Sequence, residues 1–98
     1  MTEIQLKKLA QEVTGRNDPT EALWETLRSY IEHRIQHYRK EINRLESKYG
    51  LKYEGFAGKL NNEIDLSWEH EQDYMAWEEA LTNLKHFEDI TNQMKIHA

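Results

Sequence analysis

An apolar stripe that runs through residues 19–49 is the feature that most constrains how this chain can fold. From Ile31 to Tyr49 its members recur at steps of four, three, four, three and four residues, which is the spacing of a coiled-coil seam. Asp18 can cap a helix here, and Pro19 suits the first helical position. A helix over residues 19–49 would be roughly 45 Å long, so it needs a long neighbour against which to bury its stripe. The stripe consists of Leu23, Leu27, Tyr30, Ile31, Ile35, Tyr38, Ile42, Leu45 and Tyr49.

A second long helix, predicted over residues 68–95, can supply that neighbour. Ser67 is placed to cap this helix, and its apolar residues again follow helical spacing. The connection covers residues 50–66 and contains a short predicted helix over residues 53–60. Because this connection is short, we expect the two long helices to be antiparallel. The second stripe consists of Tyr74, Trp77, Ala80, Leu81, Leu84, Phe87 and Met94.

A short N-terminal helix is predicted over residues 2–14. Its apolar residues lie at positions i, i+3, i+4 and i+7, which is one helical face. Gly15 stands in the usual place for a C-terminal cap. These apolar residues are Leu6, Leu9, Ala10 and Val13.

Together these patterns predict an all-α protein that forms a single helical domain over residues 1–98. It would combine the short N-terminal helix with a long antiparallel helical hairpin that has a small helical turn at its tip. A chain of 98 residues has a thin core. We therefore expect two hairpins to pack as a homodimer with a four-helix-bundle-like core.

The net charge of −5 is unevenly distributed along the chain. Residues 28–48 contain six basic and three acidic side chains, a net charge of +3. Residues 61–98 contain nine acidic side chains and two lysines, a net charge of −7. Nucleic-acid-binding domains usually have a dominant basic face, so this distribution argues against that class. It favours two segments of opposite sign that lie side by side.

Composition excludes further classes of protein. The chain has no cysteine, so it has neither a disulfide framework nor a thiolate metal site. It contains no apolar run long enough to span a bilayer, and its first residues lack the apolar centre of a signal peptide. We therefore expect a cytoplasmic protein that does not contact membranes.

The segment KYGLKYEGFAGKL, residues 48–60, contains three of the four glycines. Gly50 and Gly55 have the spacing of a phosphate-binding loop, but Phe56 and Ala57 stand where that loop requires Lys and Ser or Thr. We therefore predict a structural turn in which Gly50 ends the long helix. No cofactor and no catalytic residue is predicted here.

Two histidines raise the possibility of metal binding. His33 and His37 have the i, i+4 spacing of a zinc-ligand pair on one helix. The sequence offers no third imidazole nearby and no HExxH motif. We therefore predict a solvated helix face and no metal site.

Arg28 and His33 fit an R-x4-H pattern that resembles the motif of HEPN ribonucleases, which are small, helical and often dimeric. That resemblance would make Arg28 and His33 catalytic. Ser29 differs from the Asn, Asp or His that usually follows the arginine, and the motif lies earlier in the chain than in the family. A HEPN-like ribonuclease is therefore an alternative reading.

Charged residues also lie on the apolar faces of the two long helices. Helical spacing places Arg34 in the stripe of the first long helix and Arg28 at its edge. In an antiparallel pair, Glu88 would lie level with both arginines. We predict a half-buried ion pair of Arg28 and Arg34 with Glu88 that fixes helix register.

A family resemblance lies between residues 45 and 87. The blocks KYGLKYEGF, residues 48–56, and DYMAW, residues 73–77, resemble the KYGM-x-F-x-x-F and D-Y-x-x-W blocks of small all-helical archaeal and bacterial proteins, many cyanobacterial. Leu51 replaces the methionine of the first block, and a tyrosine replaces its first phenylalanine. The signature residues are Tyr49, Gly50, Tyr53, Phe56, Asp73 and Trp77.

This resemblance implies a function without catalysis. Proteins of this group are mostly uncharacterised, and some are described as antitoxins encoded beside a small toxin-like protein. It implies a protein-interaction module that binds and neutralises a cognate basic partner, to which the acidic helix is steered by charge. A HEPN-like ribonuclease and a purely structural homodimer are the alternatives. The predicted interface residues are Trp68, Glu69, Glu71, Tyr74 and Glu78.

Overall fold

The computed structural model describes the backbone of residues 1–97 and the side chains of residues 1–95. This part of the chain is all-helical, as predicted, and contains four helices. They are α1 (Glu3–Thr14), α2 (Pro19–Tyr49), α3 (Tyr53–Lys59) and α4 (Trp68–His97). None of them is both long and apolar enough to cross a membrane.

The helix starts follow the capping signals of the sequence. Thr2 precedes α1 as its N-cap, where its side chain accepts a hydrogen bond from the Gln5 backbone N–H. Asp18 accepts a hydrogen bond of 2.9 Å from the Thr20 N–H at the start of α2. Ser67 Oγ accepts one of 3.1 Å from the His70 N–H at the start of α4. These side chains satisfy backbone donors that the first turn of a helix leaves without partners.

Two glycines end helices in the left-handed conformation. Gly15 has φ 71° after α1, and its N–H donates to the Gln11 carbonyl. Gly50 has φ 67° after α2, and its N–H donates to the Glu46 carbonyl at 2.7 Å. Both positions require a backbone that residues with a Cβ adopt only under strain.

The connection between α2 and α4 contains the predicted short helix. It ends one residue early, at Lys59, because Leu60 is extended. Asn61 then takes φ 64°, and its N–H donates to the Ile64 carbonyl at 2.8 Å. A tight turn therefore links α3 to the residues that precede α4.

The chain divides into two compact units, Met1–His33 and Arg34–Ala98, with the boundary inside α2. The second unit holds a core to which three helices contribute. Its buried members come from α2 (Tyr38, Ile42, Leu45), α3 (Phe56) and α4 (Trp77, Ala80). The sequence predicts one domain, and this division lies within it.

Ring contacts in the second unit show the order in which α2 and α4 meet. Tyr38 of α2 stacks on Phe87 of α4, with ring centroids 6.1 Å apart. Tyr49, eleven residues later in α2, stacks on Trp77, ten residues earlier in α4, at 6.2 Å. Contacts further along α2 are thus made with residues earlier in α4.

The first unit has little core of its own. Its buried apolar residues are Ala22 and Ile31, and α1 contributes none. The predicted stripe of α2 is exposed at Leu23, Leu27 and Tyr30, whereas its later members are buried or half-buried. The stripe therefore changes from an exposed to a covered surface along one helix.

Candidate functional site

A buried carboxylate joins the end of α2 to the start of α4. Only 8% of Asp73 is exposed. Lys48 Nζ donates to Asp73 Oδ2 at 2.6 Å, and the Tyr49 hydroxyl donates to the same oxygen. Arg44 lies 4.0 Å from the other carboxylate oxygen. Asp73 is therefore surrounded by donors and positive charge on the side that faces α2.

These contacts hold each group in one protonation state. Burial alone would raise the pKa of Asp73, but hydrogen bonds from Lys48 and Tyr49 and the charges of Lys48 and Arg44 outweigh it and lower that pKa. The hydrogen bonds to Asp73 and Glu69 raise the pKa of Lys48. Burial, followed by the hydrogen bond to Asp73, raises the pKa of Tyr49 to about 12. All three shifts move titration further from neutrality, whereas a general acid or base works best with a pKa near the operating pH. The contacts of Asp73 with Lys48, Tyr49 and Arg44 therefore suit a fixed structural connection between α2 and α4, which we call the Asp73 link.

The signature residues form an aromatic layer beside this link. Phe56 and Trp77 are fully buried, with ring centroids 5.4 Å apart. Tyr49 packs on Phe56 at 4.4 Å, and Tyr53 packs on Trp77 at 5.9 Å. Gly50 lies between these tyrosines in the chain and turns it from α2 towards α3. The sequence signature therefore specifies packing.

Two residues predicted at a partner interface are engaged within the chain. Glu69 accepts a hydrogen bond of 2.6 Å from Lys48. Tyr74 is half-buried and stacks on Tyr53 at 5.7 Å. The hydrogen bond with Tyr74, followed by burial, raises the pKa of Tyr53 to about 12. Glu69 stays exposed, but its carboxylate is engaged by Lys48, and Tyr74 is half-buried.

The other predicted interface residues lie on the outer side of α4. Trp68 is 74% exposed, and Met75, seven residues later on the same helix face, is 54% exposed. Glu71, which is half-buried, and Glu78, which is exposed, lie on that face. Glu79 borders it beside Met75 and Glu78 in a shallow surface depression. Within the described part of the chain, none of these three carboxylates forms an ion pair. We call Trp68, Glu71, Met75, Glu78 and Glu79 the acidic face.

Met75 and Glu79 were not among the interface residues predicted from the sequence. Met75 stands at i+7 from Trp68, so helical spacing from the exposed tryptophan could have identified it. Glu79 follows at i+4 from Met75. The apolar stripe predicted for this helix lies on its buried side, so it does not include the exposed row of Trp68 and Met75.

The predicted register pair takes different partners in the structure. Glu88 Oε2 lies 3.6 Å from an Arg39 guanidinium nitrogen. Arg34 donates to the Tyr38 hydroxyl, and its guanidinium lies 4.8 Å from the Tyr38 ring centroid. Arg28 lies in the first unit, on the exposed surface of α2. The structure therefore pairs Glu88 with Arg39, where the sequence predicted Arg28 and Arg34.

The histidine positions do not assemble a site on α2. His33 lines a cleft in the first unit together with Ser29 and Tyr30, and Arg28 is not among the lining residues. Arg28 and His33 are five positions apart, which turns them about 140° from each other around a helix. Over residues 1–95, whose side chains the structure describes, no group of three or more His, Cys, Asp or Glu side chains is placed to hold a metal ion.

Comparison with protein-family models, curated proteins and solved structures finds no match to this chain. The candidate site therefore stands on its own geometry, with the Asp73 link as its support and the acidic face as its accessible surface.

Proposed function

We propose that this chain is a non-catalytic, antitoxin-like interaction module that binds and neutralises a basic partner protein through the acidic face of α4. The observation that carries this proposal is the exposure of Trp68 and Met75 on one helix face. Exposed tryptophan is enriched among the residues that dominate protein interfaces, and methionine adapts its shape to a partner.

Charge supports a basic partner. The acidic face combines its two apolar side chains with Glu71, Glu78 and Glu79, and residues 61–98 carry a net charge of −7. Carboxylates at the rim of an interface speed association with a basic surface and disfavour acidic competitors. Glu69 is not part of the acidic face, because its carboxylate already accepts a hydrogen bond from Lys48.

A rigid support for this face is part of the proposal. We propose that α2 and α4 form an antiparallel hairpin, which the Asp73 link and the aromatic layer fix at the end near α3. An interface held on a rigid helix loses less conformational freedom when it binds than one on a mobile loop. The proposal also includes a homodimer and a cytoplasmic location.

The test is a binding experiment with the protein encoded by the neighbouring gene. Both proteins are co-expressed, purified through a tag on the partner, and compared for the wild type, Trp68→Ala and Met75→Gln. We expect each variant to weaken the complex by about 10-fold or more, as for interface anchors. Ile4→Gln, at a similarly exposed apolar residue of α1 outside the acidic face, is the control and should leave binding unchanged.

Two outcomes would overturn the proposal. One is the absence of a complex between the two purified proteins at micromolar concentrations. The other is a complex that Trp68→Ala and Met75→Gln leave intact. RNA cleavage by the purified chain that His33→Ala abolishes would instead support the ribonuclease alternative.

A further inference from the structure

The first unit exposes two rows of large apolar side chains on neighbouring helices. Val13 on α1 is 73% exposed and Leu27 on α2 is 53% exposed. Val13 and Tyr30 line the same cleft, so the rows meet there. We call this surface the N-terminal face. It consists of Leu6, Leu9, Val13, Leu23, Leu27 and Tyr30.

The orientation of α1 explains why its apolar row is exposed. The half-buried residues of this helix are Ala10, Gln11 and Thr14. Gln11 and Thr14 lie on a different side from Leu6, Leu9 and Val13, and Ala10 lies at the border between the two sides. Gln11 uses its side chain to donate to the Asn17 carbonyl, and Thr14 Oγ1 donates to the Ala10 carbonyl at 2.7 Å. The small and polar side of α1 therefore faces inward, and its apolar side is left without cover.

This surface is as large as the largest apolar patches that monomers usually expose. At the observed exposures, its six side chains present roughly 600 Å² of apolar area, at the upper end for the largest patch on a monomer. A stable protein interface buries about 800 Å² per partner, so this face with its polar rim is large enough to form one. Since the first unit buries little apolar surface itself, covering this face would stabilise it.

Charge indicates what covers the face. Residues 1–33 contain four basic and six acidic side chains, a net charge of −2, with both signs interspersed. Two such surfaces can meet without strong repulsion and can form opposite-charge contacts at their rims. The acidic face of α4 has no such balance and would repel a second copy of itself. The first unit is thus suited to self-association. The commonest homo-oligomer of soluble proteins is a two-fold dimer.

We infer that the N-terminal face is the interface of a two-fold homodimer, in which a second copy of this chain covers the apolar rows of α1 and the first half of α2. This inference rests on the homodimer proposed above and gives it an interface. It separates that interface from the acidic face, so that a dimer can bind a partner on each of its two α4 helices.

Sedimentation velocity of the purified chain tests the inference without any partner present. We expect the wild type to sediment at twice the monomer mass of 11.8 kDa at micromolar concentrations. Leu27→Lys should weaken the dimer by about 30-fold or more, as for a central interface residue. Met75→Lys is the matched control, because Met75 is 54% exposed and Leu27 53%. This control should remain dimeric, and circular dichroism should show unchanged helix content in both variants.

Cross-linking provides a second readout that does not depend on weakening the dimer. The natural chain has no cysteine, so each single-cysteine variant reports on one position. Under mild oxidation, at least one of Leu23→Cys, Leu27→Cys and Val13→Cys should give a covalent dimer, whereas Met75→Cys should not. A monomeric wild type would overturn both the dimer and its interface. A dimer that Leu27→Lys leaves intact, or that cross-links only through Met75→Cys, would overturn the interface alone.

Discussion

Lys48 Nζ lies 2.6 Å from Asp73 Oδ2 and ties the last turn of α2 to the first turns of α4. Asp73 is buried, whereas the Lys48 side chain is one-third exposed and also contacts Glu69. A buried carboxylate is costly unless donors surround it, so the contacts of Asp73 act as a unit with the aromatic layer beside them.

Asp73→Asn should destabilise the fold. The amide keeps the shape of the carboxylate but loses its charge, so the interactions with Lys48 and Tyr49 weaken. We expect a loss of about 1–3 kcal/mol in the free energy of unfolding, measured by urea denaturation at fixed protein concentration. Glu88→Gln is the control, because the pair of Glu88 with Arg39 is exposed and should contribute less than about 1 kcal/mol. Equal effects of the two substitutions would contradict a special role for the buried carboxylate.

Tyr49 should make stability fall at alkaline pH. Its folded-state pKa is raised to about 12 from an ordinary value of 10.0, so the folded state favours the protonated phenol. Its contribution is therefore fully present below about pH 10 and is lost as the pH rises through about 12. The difference in unfolding free energy between the wild type and Tyr49→Phe should shrink over this window.

Urea denaturation at a series of pH values, combined with the tyrosinate absorbance band, measures this effect. Tyr53→Phe serves for comparison, because the pKa of Tyr53 is also raised to about 12 but through its hydrogen bond with Tyr74. A constant difference between the wild type and Tyr49→Phe from pH 9 to pH 12 would show that the hydroxyl does not titrate as the contacts require.

Gly50 and Gly58 should respond oppositely to the same substitution. Gly50 has φ 67°, so Gly50→Ala forces a Cβ into the left-handed region and should cost about 1–2 kcal/mol. Gly58 lies within α3 without a positive φ, and a Cβ there meets no atom within 4 Å. Gly58→Ala should therefore stabilise by about 0.4–1 kcal/mol, since it reduces the freedom of the unfolded chain. Thermal unfolding followed by circular dichroism gives both signs, and a stabilising Gly50→Ala would refute the requirement for glycine.

Local signals explain how much of the fold could be predicted from the sequence. Helix starts at Pro19 and Trp68 and the stop at Gly50 depend on caps only a few residues away, so the sequence contains all the information needed. Glu88 pairs with Arg39, whereas the sequence predicted Arg28 and Arg34. The partner depends on how two helices cross, which the helical spacing within each helix does not determine.

The exposure of apolar side chains also could not be predicted from helical periodicity. The spacing of Leu23 and Leu27 correctly describes one helix side, but a repeat does not say whether anything covers that side. Charge balance between segments predicted that basic and acidic helices would meet, and the contact of Lys48 with Asp73 agrees with it. The choice of these two residues required the three-dimensional arrangement. The same limit applies to the acidic face, where Glu69 and Glu71 look alike in sequence but only Glu69 pairs with Lys48.

Phe56 should contribute more to stability than any exposed apolar residue near it. It is fully buried between Tyr49 and Trp77, with ring centroids 4.4 Å and 5.4 Å away. Phe56→Ala removes the aromatic ring and leaves a cavity among neighbours that are themselves fixed, so we expect a loss of about 3–5 kcal/mol. Phe56→Leu should cost less because it keeps most of the apolar volume.

Leu66→Ala is the control for this prediction. Leu66 belongs to the same unit but is 49% exposed, so its truncation should cost less than about 1 kcal/mol. Chemical denaturation monitored by tryptophan fluorescence measures all three variants, since Trp77 contacts Phe56 directly. A small loss for Phe56→Ala, equal to that for Leu66→Ala, would mean that the signature phenylalanine does not hold α3 against α4.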